Sequence, residues 1–180
     1  MQLSDSRDIH AAPETVWAAI LNPEVLQACV PGCESMTGSV EDGFEAAVVQ
    51  KVGPVKARFT GLVTFADIVP GQSLTLTGEG KGGAAGFAKG SAKVTMVPIP
   101  EGTRLTYEVQ ANVGGKIAQL GSRIIDGFAK KMADEFFARF QQGLEEPEAT
   151  PDRTDEASEA QAETTEEGGE KKGWFRRLIG

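Results

Sequence analysis

Apolar and small residues fall at every second position through most of residues 33–113, then at every third or fourth position from Ile117 onward. Phe44, Ala46, Val48, Gln50 and Val52 alternate with Glu45 and Lys51. Leu105, Tyr107, Val109, Ala111 and Val113 alternate with Thr106, Glu108, Gln110 and Asn112. Period two with one polar parity describes an antiparallel sheet that is dry on one face and wet on the other. After Gly114 and Gly115, the residues Ile117, Leu120, Ile124, Phe128, Met132, Phe136 and Phe140 form the stripe of a long amphipathic helix, which Ile125 and Phe137 widen. That stripe must be covered, and the sheet's dry face is the available cover.

The rest of the chain fits around this pair. Gln2–Ile9 reads as a first strand. Pro13 opens a short helix, Asn22-Pro23 closes it, and a second short helix follows to about Ala28. Turns at Glu41-Asp42-Gly43, Gly53-Pro54, Pro70-Gly71-Gln72 and Pro100-Glu101-Gly102 divide the sheet region into six further strands. The expected class is α+β: a curved seven-stranded antiparallel sheet wrapped on a long C-terminal helix, with two short helices after strand 1. A ferredoxin-like α+β arrangement would place helices between the strands.

Charge divides the chain into three parts. The net charge of −8 is spread as about −2 over residues 1–144, −10 over 145–170 and +4 over 171–180. Residues 1–144 are expected to form one domain. Residues 145–170 contain no aromatic and no Val, Ile, Leu or Met, so a disordered acidic tether is expected there. A near-neutral domain on an acidic tether lacks the basic face of a nucleic-acid binder. No apolar run reaches the length of a membrane-spanning helix, and residues 1–5 lack the pattern of a signal peptide. A cytoplasmic location follows.

The dry face of the sheet mixes large with small residues. Phe59, Phe65, Leu74, Leu76, Val94, Met96, Leu105 and Tyr107 share their parity with Gly61, Gly78, Gly80, Ala88, Gly90, Ala92 and Ala111. Interiors are close-packed, so a sheet that only supported a helix would carry Val, Ile or Leu there. The small residues imply an apolar cavity beneath the helix. The competing reading is that the glycines let the sheet bend or the helix approach closely. The expected lining is Phe59, Gly61 and Phe65; then Gly78, Gly80, Phe87, Gly90, Ala92, Val94 and Met96; then Tyr107 and Val109; and, from the helical segment, Leu120, Ile124 and Phe128.

Other chemistry has little support. Gly78-Glu79-Gly80-Lys81-Gly82-Gly83 matches G-x-G-x-x-G, but an alternating strand follows it where a dinucleotide site needs a helix. Cys29 and Cys33 could form a redox pair or half a metal site across the Pro31-Gly32 turn. Without a third ligand, they read better as packing residues. His10 is the one histidine and falls at a strand–helix junction. Glu14, Asp67 and Glu108 are isolated, so no catalytic or metal residues are assigned.

Residues 171–180 carry Lys171, Lys172, Arg176 and Arg177 together with Trp174, Phe175, Leu178 and Ile179. As a helix, the aromatic and aliphatic residues share one side. Such a segment suits a bilayer interface and would attach the chain peripherally to the inner face of the cell membrane. Each base near an anionic leaflet adds about 1 kcal/mol. A frayed chain end and a docking peptide for a partner protein are the alternatives.

The domain resembles the carbon monoxide dehydrogenase G-subunit family of the SRPBCC (START-like, helix-grip) superfamily. The resemblance is carried by Ala12-Pro13-Glu14-Thr15-Val16-Trp17, by Val30-Pro31-Gly32-Cys33, by the glycine pattern from Gly78 to Ala92, and by Ile117-Ala118-Gln119-Leu120-Gly121 with Phe136-Phe137. It implies a helix-grip fold with an apolar cavity. It also implies company with a molybdenum hydroxylase of the CO dehydrogenase or xanthine dehydrogenase type, and it brings no catalytic residue set. Joined to the tail, the cavity suggests a carrier of an apolar lipid. For an electron-yielding partner, that cargo would be a respiratory quinone, menaquinone or ubiquinone, held non-covalently, with Tyr107 as a hydrogen-bonding phenol. The alternatives are a membrane-recruitment or maturation adaptor without cargo, and an enzyme built on the same fold.

Overall fold

The computed structural model describes residues 1–145. The proposed tether beyond Glu145 and the proposed hook at 171–180 lie outside the described residues.

Seven strands form one antiparallel sheet. Their residue ranges are β1 (Gln2–Ile9), β2 (Cys33–Ser39), β3 (Gly43–Val52), β4 (Val55–Val69), β5 (Ser73–Lys81), β6 (Phe87–Ile99) and β7 (Gly102–Gly114). The order across the sheet is β1-β7-β6-β5-β4-β3-β2. Five successive hairpins build it from β2 to β7. β1 then joins the far edge, with Leu3 opposite Val109 and Arg7 opposite Leu105.

Between β1 and β2 lie α1 (Pro13–Ile20) and α2 (Pro23–Cys29). Each begins with a proline in its first turn, where the missing N–H loses no helical bond. The Asn22 side chain caps α2 by accepting from the Glu24 N–H at 2.9 Å. The Gln27 amide then ties α2 to β2, donating to the Glu34 carbonyl and accepting from the Met36 N–H.

The long helix α3 (Ser122–Glu145) lies over the concave face. It starts later than the periodicity implies. Ala118–Leu120 form a separate 3-10 turn, and Gly121 has φ +92°, which breaks the helical path. Ile117 and Leu120 therefore belong to a connecting loop. At the other end the helix runs one residue past the expected domain boundary.

The hydrophobic core cluster lies toward one end. Ile9, Val16, Ala19, Val25, Leu74, Val94, Met96 and Leu105 surround Phe140 and Leu144 of α3. Buried Thr103 donates its hydroxyl to the Ala11 carbonyl at 2.8 Å, fixing the loop after β1. No described helix is long and apolar enough to cross a membrane.

Candidate functional site

Only Phe140, Gly143 and Leu144 of the 24-residue helix α3 are buried. Ile125, Phe128, Met132, Phe136 and Phe137 remain partly exposed, although they face the sheet side. An apolar stripe of that length would be covered if the space beneath it were filled by the protein. It is hollow instead.

The main compartment has a volume of about 460 Å³. Its roof is Ile125, Phe128, Ala129, Met132, Ala133, Phe136 and Phe137 of α3. Its floor is Leu76, Ala88, Ala92, Val94, Tyr107 and Val109, and Met1, Leu3, Leu26 and Val30 close its sides. A second compartment of about 410 Å³ runs under β3–β6, over Phe59, Gly61, Gly78, Gly80 and Gly90. A third, of about 180 Å³, reaches the start of α3 between Phe59, Val113, Ile117 and Phe128. The main compartment shares Leu76, Ala88, Ala92, Val109 and Ala111 with the second, and Ala88, Val113, Ile125 and Phe128 with the third. These walls suit an apolar molecule of moderate size.

The glycines divide between the two readings of the sequence. A Cβ on Gly78 would meet only a Val63 methyl at 3.7 Å and the Leu62 carbonyl at 3.9 Å, and one on Gly80 only the Phe59 Cβ at 4.0 Å. These two leave volume. A Cβ on Gly61 would collide with the Glu79 carbonyl, and one on Gly90 with the Gln110 carbonyl. Those two are demanded by close approach of neighbouring strands in a strongly bent sheet.

Ten of the fifteen sequence-predicted lining residues border the space: Phe59, Gly61, Gly78, Gly80, Gly90, Ala92, Val94, Tyr107, Val109 and Phe128. Five do not. Phe87 has the opposite parity to Ala88, Gly90 and Ala92, so it lies on the outer face, 46% exposed, with its ring over Gly114. Met96 is buried in the packed end, and Phe65 packs edge-on against Phe44 at 4.9 Å. Leu120 and Ile124 cover the β3–β4 turn at Gly53: the break at Gly121 takes Leu120 out of the helix, and Ile124 stands at the edge of the cavity-facing side of α3.

Sequence reasoning missed a polar cluster that touches the cavity wall at Tyr107 and Phe137. Asp5 and Arg7 share the inward parity of Leu3 and Ile9 on edge strand β1. Arg7 Nη2 lies 2.5 Å from Asp134 of α3 and 3.3 Å from Asp5, and it donates to the Tyr107 hydroxyl at 3.5 Å. Asp134 raises the Arg7 pKa most, burial opposes it, and Tyr107 adds to the rise. Tyr107 itself stacks on Phe137 with ring centres 5.0 Å apart. The available signal was an inward charge pair on an edge strand, a placement that blunts edge-to-edge pairing.

Cys29 is buried and Cys33 half-buried, and neither is in a disulfide. Burial pushes the Cys29 thiol up to about 11, with Arg139 opposing weakly. Burial also raises Cys33, against a hydrogen bond to the Ser35 carbonyl. His10 is exposed and pairs with Glu145 at 3.1 Å. Among the described residues, no three His, Cys, Asp or Glu side chains are placed to hold a metal.

A concave antiparallel sheet, two short helices after its first strand and a long helix over an apolar hollow define the START-like helix-grip class. A START superfamily protein from Mycobacterium smegmatis shares the fold, with a TM-score of 0.60 at 14% identity over 80% of this chain and 97% of that one. The model of the carbon monoxide dehydrogenase G-subunit (CoxG) family matches residues 6–145, and the chain belongs to that family. A conserved protein from Geobacillus kaustophilus is 30% identical, with a TM-score of 0.75 over 80% of this chain and 95% of that one. Protein CV1439 from Chromobacterium violaceum aligns at 18% identity with a TM-score of 0.58, covering 80% of this chain and 97% of that one. No curated protein matches the sequence.

Proposed function

We propose that this protein is a non-catalytic accessory carrier that takes an apolar lipid, a respiratory quinone, from the membrane into its cavity and presents it to a molybdenum hydroxylase of the CO dehydrogenase type. The observation that carries this reading is the hollow of about 460 Å³ beneath an uncovered apolar helix face. An isoprenoid chain is an apolar, flexible occupant suited to walls made of Leu76, Val109, Phe128 and Met132. The quinone ring needs few polar partners. The Tyr107 hydroxyl accepts from Arg7 and keeps its own proton for a ring carbonyl. The CoxG family name, which contains that of carbon monoxide dehydrogenase, supports this choice of partner. In this reading the basic and aromatic residues 171–180 supply the attachment to the inner face of the membrane, and the acidic segment before them links it to the domain.

The test is native mass spectrometry, with organic extraction, of the full chain purified from membranes of a quinone-containing host. A quinone bound one to one is expected, and Gly80→Leu should displace it. Protein that carries neither quinone nor other lipid, and that fails to take up a soluble quinone analogue, would sink the carrier and leave an adaptor without cargo.

A further inference from the structure

Charge is distributed unevenly between the two ends of the sheet. At the end where α3 begins, three connections converge: the β3–β4 turn, the β5–β6 loop with its 3-10 turn at Gly83–Ala85, and the β7–α3 loop. Residues 51–56, 80–87 and 114–125 contain Lys51, Lys56, Lys81, Lys116 and Arg123 and no acid. All five cations are exposed. The nearest acids are Asp126, one position beyond, and Glu79, 4.0 Å from Lys81. The hairpin turns at the opposite end carry Glu41, Asp42 and Glu101 and no base, and Asp67 lies at the bulge near the end of β4.

The basic end also exposes two large apolar side chains. Phe87 and Ile124 stand there 46% and 41% exposed, and the small compartment behind Val113, Ile117 and Phe128 reaches the same loops. The loops are joined to each other: the Ile117 N–H donates to the Ala85 carbonyl at 3.0 Å, and Gly86 packs so tightly on Gly114 and Gly115 that it could not carry a Cβ.

We infer that this rim is a docking surface for an anionic bilayer, which the globular domain meets mouth-first. Five exposed bases and two exposed apolar side chains at the same end of the fold complement a negatively charged leaflet with a hydrocarbon interior. The acidic turns at the other end are repelled by the same surface, so the charge distribution orients the domain as well as attracting it. An acidic protein surface would satisfy the bases but leave Phe87 and Ile124 without a use. The inference rests on the carrier reading and adds to it the path of loading: lipid enters between the start of α3 and the loops at 53–54 and 83–86, without crossing water. It is separate from any attachment through residues 171–180.

Hydrogen–deuterium exchange of the full chain on vesicles tests it. With vesicles of equal parts phosphatidylcholine and phosphatidylglycerol, amides in 51–56, 80–87 and 114–125 should exchange more slowly than in solution. Those in 40–42 and 100–102 should not change, and phosphatidylcholine alone should give no protection. Neutralising Lys56, Lys116 or Arg123 to Gln should each lower vesicle partitioning about fivefold. Chain that sediments with the anionic vesicles while these segments exchange as in solution is held only elsewhere, and that result overturns the inference. So does failure to sediment, or protection of these segments by an acidic protein and not by vesicles. Cavity loading is read separately by extraction: mouth protection with an empty cavity removes the cargo, whereas a loaded cavity without mouth protection removes only this docking mode.

Discussion

Arg7 on the edge strand and Asp134 on the long helix form an ion pair at the boundary between the packed and hollow halves of the domain, with Nη2 2.5 Å from Oδ1. The same guanidinium lies 5.4 Å from the centre of the Phe137 ring, and its Nε is buried without a partner. One side chain thus holds α3 against β1 where the apolar packing ends. Arg7→Met should lower stability by about 0.5–1 kcal/mol from the lost ring contact alone. Amides near the middle of α3 should exchange faster. Urea denaturation and hydrogen exchange check both, and an unchanged exchange rate in α3 would mean that the pair does not restrain the helix.

Acid should loosen the same contact. Arg7 lowers the Asp134 pKa below 3.8, with burial opposing and Lys130 assisting. A carboxylate held below its unfolded value contributes stability above that value and loses it as pH falls through the folded one. Arg104 lowers the Asp8 carboxyl in the same way, through hydrogen bonds at 2.7 and 3.1 Å. Melting temperature should therefore fall as the pH drops below 3.8, and Asp134→Asn should flatten part of that slope. A slope unchanged by the substitution would place the acid sensitivity elsewhere.

Substitutions at two glycines of the dry face should act in opposite ways. Gly90→Ala meets the Gln110 carbonyl and the Ala111 Cβ, so it should destabilise the fold by about 1–3 kcal/mol, the usual range for overpacking. Gly80→Leu projects into the second compartment with nothing nearer than 4.0 Å at its Cβ. It should keep or slightly raise the melting temperature while abolishing uptake of an apolar fluorophore. Equal destabilisation by both would make the hollow a product of sheet bending alone.

The strand count, the order of elements and the partnership of sheet with helix were legible because period two and the three-to-four spacing are each imposed by backbone geometry. Alternation also placed Gly78, Gly80, Ala92 and Tyr107 on the correct face. It did not separate glycines that leave room from glycines forced by strand contact, because parity carries no information about the curvature of the neighbouring strand. Phe87 departs from its expected place because its own parity points outward. Leu120 and Ile124 obey the three-to-four spacing, but the break at Gly121 takes Leu120 out of the helix, and Ile124, about 100° round α3 from Ile125, falls at the edge of the cavity-facing side. The Arg7 cluster depends on register across a sequence separation of about a hundred residues, Arg7 to Tyr107, where no local pattern reaches.

The two cysteines should differ sharply in reactivity. With its thiol at about 11, Cys29 is roughly one part in a thousand thiolate at pH 8, and it is fully buried besides. Cys33 is raised less and is half-buried. Iodoacetamide on the native protein should modify Cys33 well before Cys29, with both reacting in urea. Co-modification at similar rates, or a disulfide formed under mild oxidation, would revive the redox pair that the Pro31-Gly32 turn suggests.

Two phenylalanines about three turns apart on α3 should separate stability from binding. Phe140 is fully buried, stacks on Phe136 at 5.6 Å and meets the core of α1 and β7. Phe140→Ala should cost about 3–5 kcal/mol. Phe128 roofs the main and smallest compartments and is only partly covered. Its removal opens a space that is already hollow, so Phe128→Ala should cost under about 1.5 kcal/mol. An apolar ligand loses a wall it would have buried, and its affinity should fall about tenfold, the equivalent of roughly 1.4 kcal/mol. Paired urea melts and fluorophore titrations give both numbers. If Phe128→Ala destabilised the fold as much as Phe140→Ala, the start of α3 would be core, and the hollow beneath it would not be open to cargo.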